Sequence, residues 1–505
     1  MRKRGLTALL GTMLLATTAL GGVINVQAEG NEEITEIFWQ WPSTGTTYEG
    51  LQDVEDALNA MMEPDIGVHV TLEPVAFSEL VNRLTLDVSS GTQVDLSLSV
   101  GTGMGPLVSS NLIQPIGDLV DEYGQAMLED CGASIAGGIY EGELYGVGPA
   151  YITTNRYGLQ ARKDLLDKYG IEYDTEKVYT LDEIEEIFAT IKAGEGENFY
   201  CATFGGIDRE PLYGAAFALD RCVATTASGV LMLERDFKDT TLVNLYETEE
   251  YKEYVERMYD WAQKGYISKD AVTNTETSDT LISGGNYLGV FAWTTVGYSE
   301  TLQSTTGYEM VGLTTCDGYR SSDTANTVLW SVPVTSGNPE KAVQALNYIY
   351  EHEECAWMLQ YGLEGVSYEV LEETEEGTLI QYLGDDPSTL PYYQPYGVYG
   401  NRLGWPIAAP NSIDMNAKLI EFDSAIEEAG ERVSAIYGYQ FASDSVATEY
   451  AAVNAVLAQY LPTFNTGAVD PAEMLPEFQE ALKAAGIDKV IEENQRQLDE
   501  WLAAQ

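Results

Sequence analysis

Aromatic residues recur at predicted strand ends and in predicted loops, where they could form a binding surface for sugars. Sugar rings present apolar C–H faces that stack on aromatic planes, while their hydroxyl groups need polar partners. Ordinary core packing is the alternative for each residue, because buried Trp and Tyr commonly satisfy one polar atom. The positions of the set as a whole favour a ligand platform. The set comprises Trp39, Trp41, Trp293, Trp330, Trp405, Tyr151, Tyr392, Tyr393 and Tyr399.

Other motifs that could carry chemistry are weak. The sequence GTGMG at 101–105 is followed by Pro106, so it lacks the third glycine of a dinucleotide-binding fingerprint, and no P-loop Gly-Lys-Ser/Thr occurs. The two histidines, His69 and His352, have no recognisable acid–base setting, which disfavours a Ser-His-Asp hydrolase. The 80 acidic residues produce many close pairs, so no pair of glycosidase carboxylates stands out.

Length, charge and cysteine content restrict the class of protein. A chain of 505 residues is too long for one ordinary core, so two or three domains or lobes are expected. The net charge of −54 disfavours nucleic acid or an anionic membrane as a partner, because phosphate binding needs clustered Lys and Arg. The five cysteines form no CxxC, which disfavours zinc and redox sites. Burial as small apolar residues is expected, and a disulfide between Cys201 and Cys222 stays open.

The first residues have the pattern of a secretion signal. A basic segment at 2–4 precedes a long apolar stretch, and Ala28 ends a cleavage pattern of small residues. We therefore predict a signal peptide at 1–28 and an exported chain that acts outside the cell, at the cell surface or in the periplasm. An uncleaved N-terminal anchor is the alternative. The stretch contains no lipobox cysteine for lipid attachment.

The mature chain begins with alternating strand and helix patterns. Strand patterns at 33–41, 68–75 and 94–100 enclose helical patterns at 47–62 and 77–91. This β-α-β-α-β order predicts a parallel sheet covered by helices. In such sheets ligands bind beyond the carboxyl ends of the strands. That rule places Trp39, Trp41 and Thr102 at one rim.

Capping signals mark the starts of three further helices. Thr180 and Glu183 have the spacing of a capping box. At 338–339 and at 470–471, an Asn or Asp precedes a proline at the first helical position. Gly486 is expected to interrupt the last helical region.

Several segments resemble the family 1 extracellular solute-binding proteins of ABC importers. EGELYGVGPAY at 141–151 and YGLQARKDLLDKYGI at 157–171 are similar to the family's signature around the hinge. SGNPEKAVQALNYIY at 336–350 is similar to its Asn-Pro-Glu-Lys-Ala helix. The tail at 437–503 closely resembles the DUF3502-type C-terminal domain of one subgroup. The resemblance extends over almost all of the mature chain.

The resemblance implies an α/β, two-lobed, periplasmic-binding-protein-like fold of type II. Its sheets would be parallel-rich and flanked by helices, with a helical C-terminal extension. Lobe 1 is expected at 31–150 and 312–352, and lobe 2 at 151–311 and 353–505, of which 430–505 is the DUF3502-like helical part. The cleft would enclose a small-molecule ligand, an oligosaccharide in most members, for delivery to membrane permease subunits. No enzyme activity, cofactor or metal is implied, and we expect a monomer.

Candidate ligand-binding residues lie in both expected lobes and at the first crossover. In lobe 1 they are Trp39, Trp41, Thr102 and, in the returning segment, Trp330. At the crossover they are Tyr151 and Asn155, and in lobe 2 they are Trp293, Tyr392, Tyr393 and Asn401. The indoles would stack on sugar rings, and the polar members would satisfy hydroxyl groups. Pro42 limits the first strand, so Trp39 is expected to be partly core and Trp41 to face the ligand.

Three alternatives remain at this point. A secreted glycoside hydrolase shares the export signal, the acidity and the aromatic loops. A binding protein for peptides or other small molecules shares the fold but not the ligand. A cell-envelope interaction protein would have no closed cleft. The sequence does not identify the sugar, its linkage and chain length, or the permease.

Overall fold

A computed structural model describes residues 34–504 except 45–47, 102, 204–212, 223–224, 326–327 and 385–386. The predicted signal peptide at 1–28 and the candidate Thr102 lie outside the described residues. Within the described part of the chain, no helix combines the length and apolar character needed to cross a membrane.

The N-terminal segment has the predicted β-α-β-α-β order. It consists of β1 (Thr35–Ser43), α1 (Leu51–Ile66), β2 (Val68–Ala76), α2 (Leu80–Ser90) and β3 (Ser97–Val100). β1 and β2 pair in parallel along their whole length, and Trp39 bridges to Leu96 in parallel just before β3. Shorter elements follow, namely α3 (Gly105–Ser109), α4 (Gly117–Tyr123), α5 (Gln125–Cys131), β4 (Ile139–Tyr140), β5 (Glu143–Leu144) and β6 (Gly146–Val147).

The second segment forms its own antiparallel sheet. Its strands are β7 (Asn155–Arg162), β8 (Gly289–Trp293) and β9 (Met310–Tyr319), in the order β8-β7-β9. Its helices are α6 (Lys163–Lys168), α7 (Leu181–Glu195), α8 (Tyr213–Ala216), α9 (Glu249–Gln263), α10 (Ser278–Ser283) and α11 (Tyr298–Thr306). The capping box of α7 is confirmed, because Thr180 Oγ1 accepts a hydrogen bond from the Glu183 backbone and Glu183 accepts one from the Thr180 backbone.

The third segment returns to the N-terminal part. It contains β10 (Val328–Ser331), α12 (Pro339–Glu351), α13 (Glu353–Tyr361), β11 (Tyr368–Thr374), β12 (Gly377–Tyr382) and β13 (Ile407–Ala408). β10 lies between β3 and β6 and pairs antiparallel with both, which completes a mixed sheet arrangement. Pro339 is the first residue of α12 as predicted, although the Asn338 side chain makes no capping hydrogen bond.

The C-terminal segment is helical, as predicted. It contains α14 (Met415–Ala429), α15 (Ala447–Asn465), α16 (Pro471–Ala485) and α17 (Ile487–Ala504). Asp470 caps α16 by accepting a hydrogen bond from the Ala472 N–H at 2.9 Å. Gly486 ends α16 with a φ of 98°, a left-handed conformation that glycine adopts without steric cost.

The described residues include two large hydrophobic cores. The first core contains buried residues of 37–150 and 330–405, including Trp39, Trp330 and Tyr399. The second core contains buried residues of 159–313 and 453–487, including Trp261 and Phe478. Helices α15 and α16 therefore bury their apolar faces against the second segment, which explains why the tail is helical without forming a separate core.

The structure corrects both expected lobe boundaries. Residues 312–319 belong to β9, which pairs with β7 in the second sheet, so they do not belong to lobe 1. Residues 355–405 pack in the first core and not in lobe 2. For example, the Gln394 amide donates to the Pro42 carbonyl oxygen of β1 at 2.7 Å. The first core thus extends from residue 34 to 150 and from 328 to 408.

Three chain crossings connect the two cores and meet at one carboxylate. Asp423, on α14, accepts hydrogen bonds from the backbone N–H groups of Thr153 and Thr154 at 3.1 and 3.0 Å, and from the Thr154 hydroxyl at 2.6 Å. Its other oxygen accepts from the Arg320 guanidinium at 2.8 Å. Thr153 and Thr154 belong to the first crossing, Arg320 to the second and Asp423 to the third.

The five cysteines are buried, as predicted for small apolar residues, and none of them forms a disulfide. Cys201 and Cys222 form no disulfide in the structure. Burial raises the pKa of Cys131, Cys316 and Cys355 to about 12, so these thiols stay protonated at neutral pH.

Candidate functional site

A cavity of about 650 Å³ lies between the two cores. This volume is within the range of about 300–1,000 Å³ that is usual for small-molecule sites. The first crossing lines it at 151–155, where the chain passes from one core to the other. Further lining residues come from the first core, including Pro149, Val328, Pro395 and Arg402, and from the second segment, including Trp293, Thr295, Val296, Tyr298 and Thr301.

Trp293 supplies an exposed indole to this cavity. It is the last residue of β8, and its burial decreases along the strand until 44% of the side chain is exposed. Tyr157, on the neighbouring strand β7, stacks on it with ring centroids 6.1 Å apart. Tyr298 contacts it edge-on at 5.7 Å. Packing against two tyrosines fixes the indole plane and leaves part of it for a ligand.

Tyr151 and Arg402 form a second fixed unit in the wall. The Arg402 guanidinium lies 3.6 Å from the centroid of the Tyr151 ring, which is a close cation–π contact. Gly397 also lies close to Arg402, and a Cβ atom there would lie 2.6 Å from the guanidinium carbon. Only glycine leaves room for the cation there. Burial lowers the pKa of Arg402, yet an arginine side chain remains a cation in proteins.

Asn155 lies where the first crossing enters β7. Its amide nitrogen donates to the Ser321 hydroxyl at 3.4 Å, and its amide oxygen accepts from the Tyr157 hydroxyl at 3.3 Å. Asn155 therefore lines the cavity while it links the first two crossings. Its position agrees with the rule that irregular ends of strands supply the polar groups of a site.

A smaller chamber of about 180 Å³ adjoins the main cavity. The two share Tyr151, Pro395, Gly397, Arg402 and Met415. Four buried polar atoms around the smaller chamber have no hydrogen-bond partner, namely Gln360 Oε1, Arg402 Nε, Trp405 Nε1 and Asn411 Oδ1. Because an unpaired buried polar group costs about 1–3 kcal/mol, such a cluster is typical of a site that a ligand or ordered water completes.

The charge of the lining differs from that of the whole chain. Among the described residues that line the cavity and the chamber, none is Asp or Glu, and Arg402 is the cation. The described lining therefore supplies no pair of carboxylates for acid–base chemistry. No group of three His, Cys, Asp or Glu side chains gathers as metal ligands in the described part of the chain.

Of the candidates predicted from sequence, the cavity brings together Tyr151, Asn155 and Trp293. Four others are corrected, because their side chains lie in the first core. Their exposed fractions are 0% for Trp39, 1% for Trp41, 0% for Trp330 and 1% for Tyr392. Side chains so completely covered offer no face to a ligand.

Contacts within the first core explain this burial. Trp39 packs edge-on against Trp330 at 5.2 Å, and Trp41 packs against Tyr392 at 5.7 Å. The Trp330 indole N–H donates to the Val398 carbonyl oxygen at 2.6 Å. β1 also continues through Pro42 to Ser43, so the expected distinction between a core Trp39 and a ligand-facing Trp41 is wrong.

Tyr393 and Asn401 are near the site but do not line the cavity. Tyr393 is half-buried against the first core, with its ring 6.2 Å from that of Tyr382. The Asn401 side chain accepts a hydrogen bond from the Leu403 N–H at 3.0 Å and so shapes the turn that presents Arg402. Asn401 thus supports the wall.

Arg402 was not among the candidates predicted from sequence, although one sequence feature indicates that it has a specific role. Arg402 is the one charged residue between positions 387 and 413, in a stretch rich in Tyr, Pro and Gly. A lone cation in an uncharged aromatic segment, in a chain with 80 acidic residues, indicates a specific role. Gln360 and Asn411 were also missed, and no local pattern distinguishes them from other amides.

Two family profiles match the chain. Residues 56–377 match the family described as bacterial extracellular solute-binding protein. Residues 435–503 match a domain of unknown function, DUF3502. The second match covers α15 to α17, the helices that pack on the second core.

Similar proteins with curated names or solved structures are distant in sequence. A carbohydrate ABC transporter substrate-binding protein of Streptococcus pneumoniae is 24% identical over 467 residues, which cover 91% of this chain and 89% of the relative. The crystal structure of an N-glycan transport solute-binding protein from the same species has a TM-score of 0.77 at 23% identity, covering 93% of this chain and 99% of that one.

A second solved structure has a similar fold at lower identity. It is an HMO-binding, ABC-transporter-associated solute-binding protein from Bifidobacterium longum infantis. Its TM-score is 0.65 at 14% identity, and the match covers 93% of this chain and 99% of that one. Such similarities establish a shared two-lobed fold.

Proposed function

We propose that this chain, which belongs to the bacterial extracellular solute-binding protein family, captures an oligosaccharide between its two cores and delivers it to a membrane ABC importer. The observation that carries the proposal is the cavity of about 650 Å³. Its lining combines the exposed, rigidly packed indole of Trp293 with polar groups from the first crossing and from the first core. Such a combination of an aromatic face and a few placed polar groups suits a sugar.

The mechanism follows from the position of the cavity. A ligand that contacts both cores at once binds a closed arrangement more tightly than an open one, and so shifts the population towards closure. The three crossings at Asp423 are the hinge in this mechanism. The permease would then recognise the closed arrangement of the two cores, which forms when the ligand fills the cavity.

The similar proteins support the ligand class. The S. pneumoniae relative is named for carbohydrate transport, and two further solved structures hold Man1GlcNAc and Man5GlcNAc. Peptides and other small molecules are the alternative ligands.

We infer that lobe 1 comprises 34–150 and 328–408, and lobe 2 comprises 155–319 and 430–504. We further propose that the signal peptide at 1–28 directs export and that the chain acts at the cell surface or in the periplasm. There it would be a monomer that docks on permease subunits.

Thermal-shift screening tests the ligand class. We expect at least one neutral or acidic oligosaccharide to raise the melting temperature, because a ligand at 100 times its Kd stabilises the folded state by about 2.7 kcal/mol. Stabilisation by peptides and by no glycan would contradict the proposal that the ligand is an oligosaccharide.

A second assay measures reducing ends after incubation with the same glycans. Their release by the purified chain would show that the glycoside hydrolase interpretation is right.

A further inference from the structure

The described walls of the cavity and its inner chamber exclude carboxylates in a chain that has 80 of them. Proteins that recognise neutral sugars gain from carboxylate acceptors, because a hydroxyl donates a strong hydrogen bond to an ionised oxygen. Asp and Glu are abundant in this chain, and their carboxylates would be good hydrogen-bond acceptors for a neutral sugar. Their absence from the described walls, together with one cation, indicates a ligand that itself carries negative charge.

Arg402 has no counter-ion among the described residues. The groups that act on its charge are the tyrosines Tyr151 and Tyr361, not a carboxylate. Its Nε atom is buried and makes no hydrogen bond. Arg402 is partly buried, and withdrawing a charge from water without a partner is costly, so natural proteins pair such a charge or use it. Elsewhere in this chain the buried Arg320 is paired with Asp423 at 2.8 Å, which shows the ordinary solution.

The guanidinium is also held in one plane. The centroid of the Tyr151 ring lies 3.6 Å from the guanidinium carbon, and Gly397 lies so close that a Cβ atom there would be 2.6 Å from the same carbon. A planar guanidinium fixed in this way presents its N–H groups in a fork, which matches the two oxygens of a carboxylate. A hydroxyl group would engage only part of that fork.

We propose that Arg402 binds a carboxylate of the ligand, so that the cavity is specific for an acidic oligosaccharide containing a sugar acid. This rests on the proposed function and names its substrate class. Trp293, which lines the same cavity, serves the sugar ring irrespective of charge. The net charge of −54 does not oppose the interaction, because at physiological ionic strength charges beyond about 8 Å are largely screened.

Isothermal titration calorimetry of the exported chain with matched ligand pairs tests this. Each pair consists of a sugar acid and its methyl ester, which differ in charge but keep the same rings and linkage. Suitable pairs are trigalacturonate, sialyllactose and an aldotetraouronic acid with their esters, together with neutral mannose and glucose oligosaccharides. We expect one acid to bind at least about tenfold more tightly than its ester.

Variants assign that preference to the arginine. In Arg402→Gln the affinity for the acid should fall at least about thirtyfold while the ester is little affected. Arg402→Lys should restore part of the loss, since it keeps the charge but not the fork. Trp293→Ala should weaken acid and ester by the same factor. Melting temperatures of all variants show that each is folded.

The outcomes separate the inference from the proposed function. Neutral oligosaccharides binding while every acid fails, or an acid and ester binding equally, would overturn the role of Arg402 and leave oligosaccharide capture standing. An acid preference that persists in Arg402→Gln would also overturn it. Failure of all the carbohydrates would overturn both.

Discussion

Trp293 and Trp41 both lie at or near the carboxyl end of a strand, yet 44% of one side chain and 1% of the other is exposed. Residue type and strand position are therefore insufficient to identify a ligand contact. What decides is the chain that covers the strand end. Residues around Tyr392 and Gln394 close over β1, whereas the end of β8 faces the cavity.

Two variants test the assignment of Trp41 to the first core and of Trp293 to ligand binding. Trp41→Ala should lower the free energy of unfolding by about 3–5 kcal/mol, because it leaves a cavity in the first core. Trp293→Ala should change it by about 1 kcal/mol or less and should instead weaken ligand binding. Urea denaturation followed by circular dichroism measures the first effect, and calorimetry the second. Equal losses of stability in the two variants would contradict this assignment.

Of the ten ligand-binding candidates named from sequence, three are described residues that line the cavity. Tyr151, Asn155 and Trp293 were predicted because crossings and strand ends have local signatures. Arg402 was missed because its significance depends on the absence of a nearby carboxylate in space, which a sequence does not display. Trp39 and Trp330 were misplaced because burial depends on segments that are distant in the chain, as in the contacts of Trp39 with Trp330 and of Gln394 with Pro42.

At the scale of elements, local signals were reliable and long-range assignment was not. The capping box of α7, the cap of α16 and the glycine after it were all predicted, since their partners lie within four residues. The assignment of 353–408 to lobe 2 was wrong, because these residues have no local feature that distinguishes one core from the other. Packing against β1 decides their position.

The capping box of α7 should give a pH-dependent contribution to stability. The Lys177 ammonium, at 2.6 Å, and the Thr180 backbone N–H lower the pKa of Glu183 from 4.5 to about 2. Because the pKa is lowered in the folded state, the contribution is present above pH 4.5 and is lost as the pH falls towards 2.

A pair of variants on α7 isolates that contribution. Glu183→Gln should have a lower melting temperature than the parent at pH 7, and the difference should shrink between pH 4.5 and pH 2. Glu186→Gln, an exposed residue of the same helix, is the control and should differ little at any pH. A difference for Glu183→Gln that is constant over pH would show that the charge is irrelevant.

The hinge carboxylate offers a second test at this scale. Asp423→Ala should destabilise the chain by on the order of 3 kcal/mol, because Arg320 loses its close partner while it stays buried. Glu427→Gln, one turn further along α14 and 3.3 Å from the same guanidinium, should cost less than about 1 kcal/mol since Glu427 is largely exposed. Equal shifts in the urea midpoint for both variants would show that Asp423 is not the anchor.

At the scale of the molecule, two cores are joined at three crossings and a cavity lies between them. Each core buries its own aromatic cluster. The cavity draws its walls from both cores and from the first crossing. A ligand held there would resist separation of the cores, and this is the central claim.

Small-angle X-ray scattering with and without a saturating sugar tests that claim most directly. The sugar is one that binds by calorimetry, and Trp293→Ala, which binds it weakly, is the control at the same sugar concentration. We predict that the radius of gyration of the parent chain decreases on binding and that the variant shows little change. An unchanged radius of gyration in a chain saturated with sugar would contradict capture by closure of the two cores.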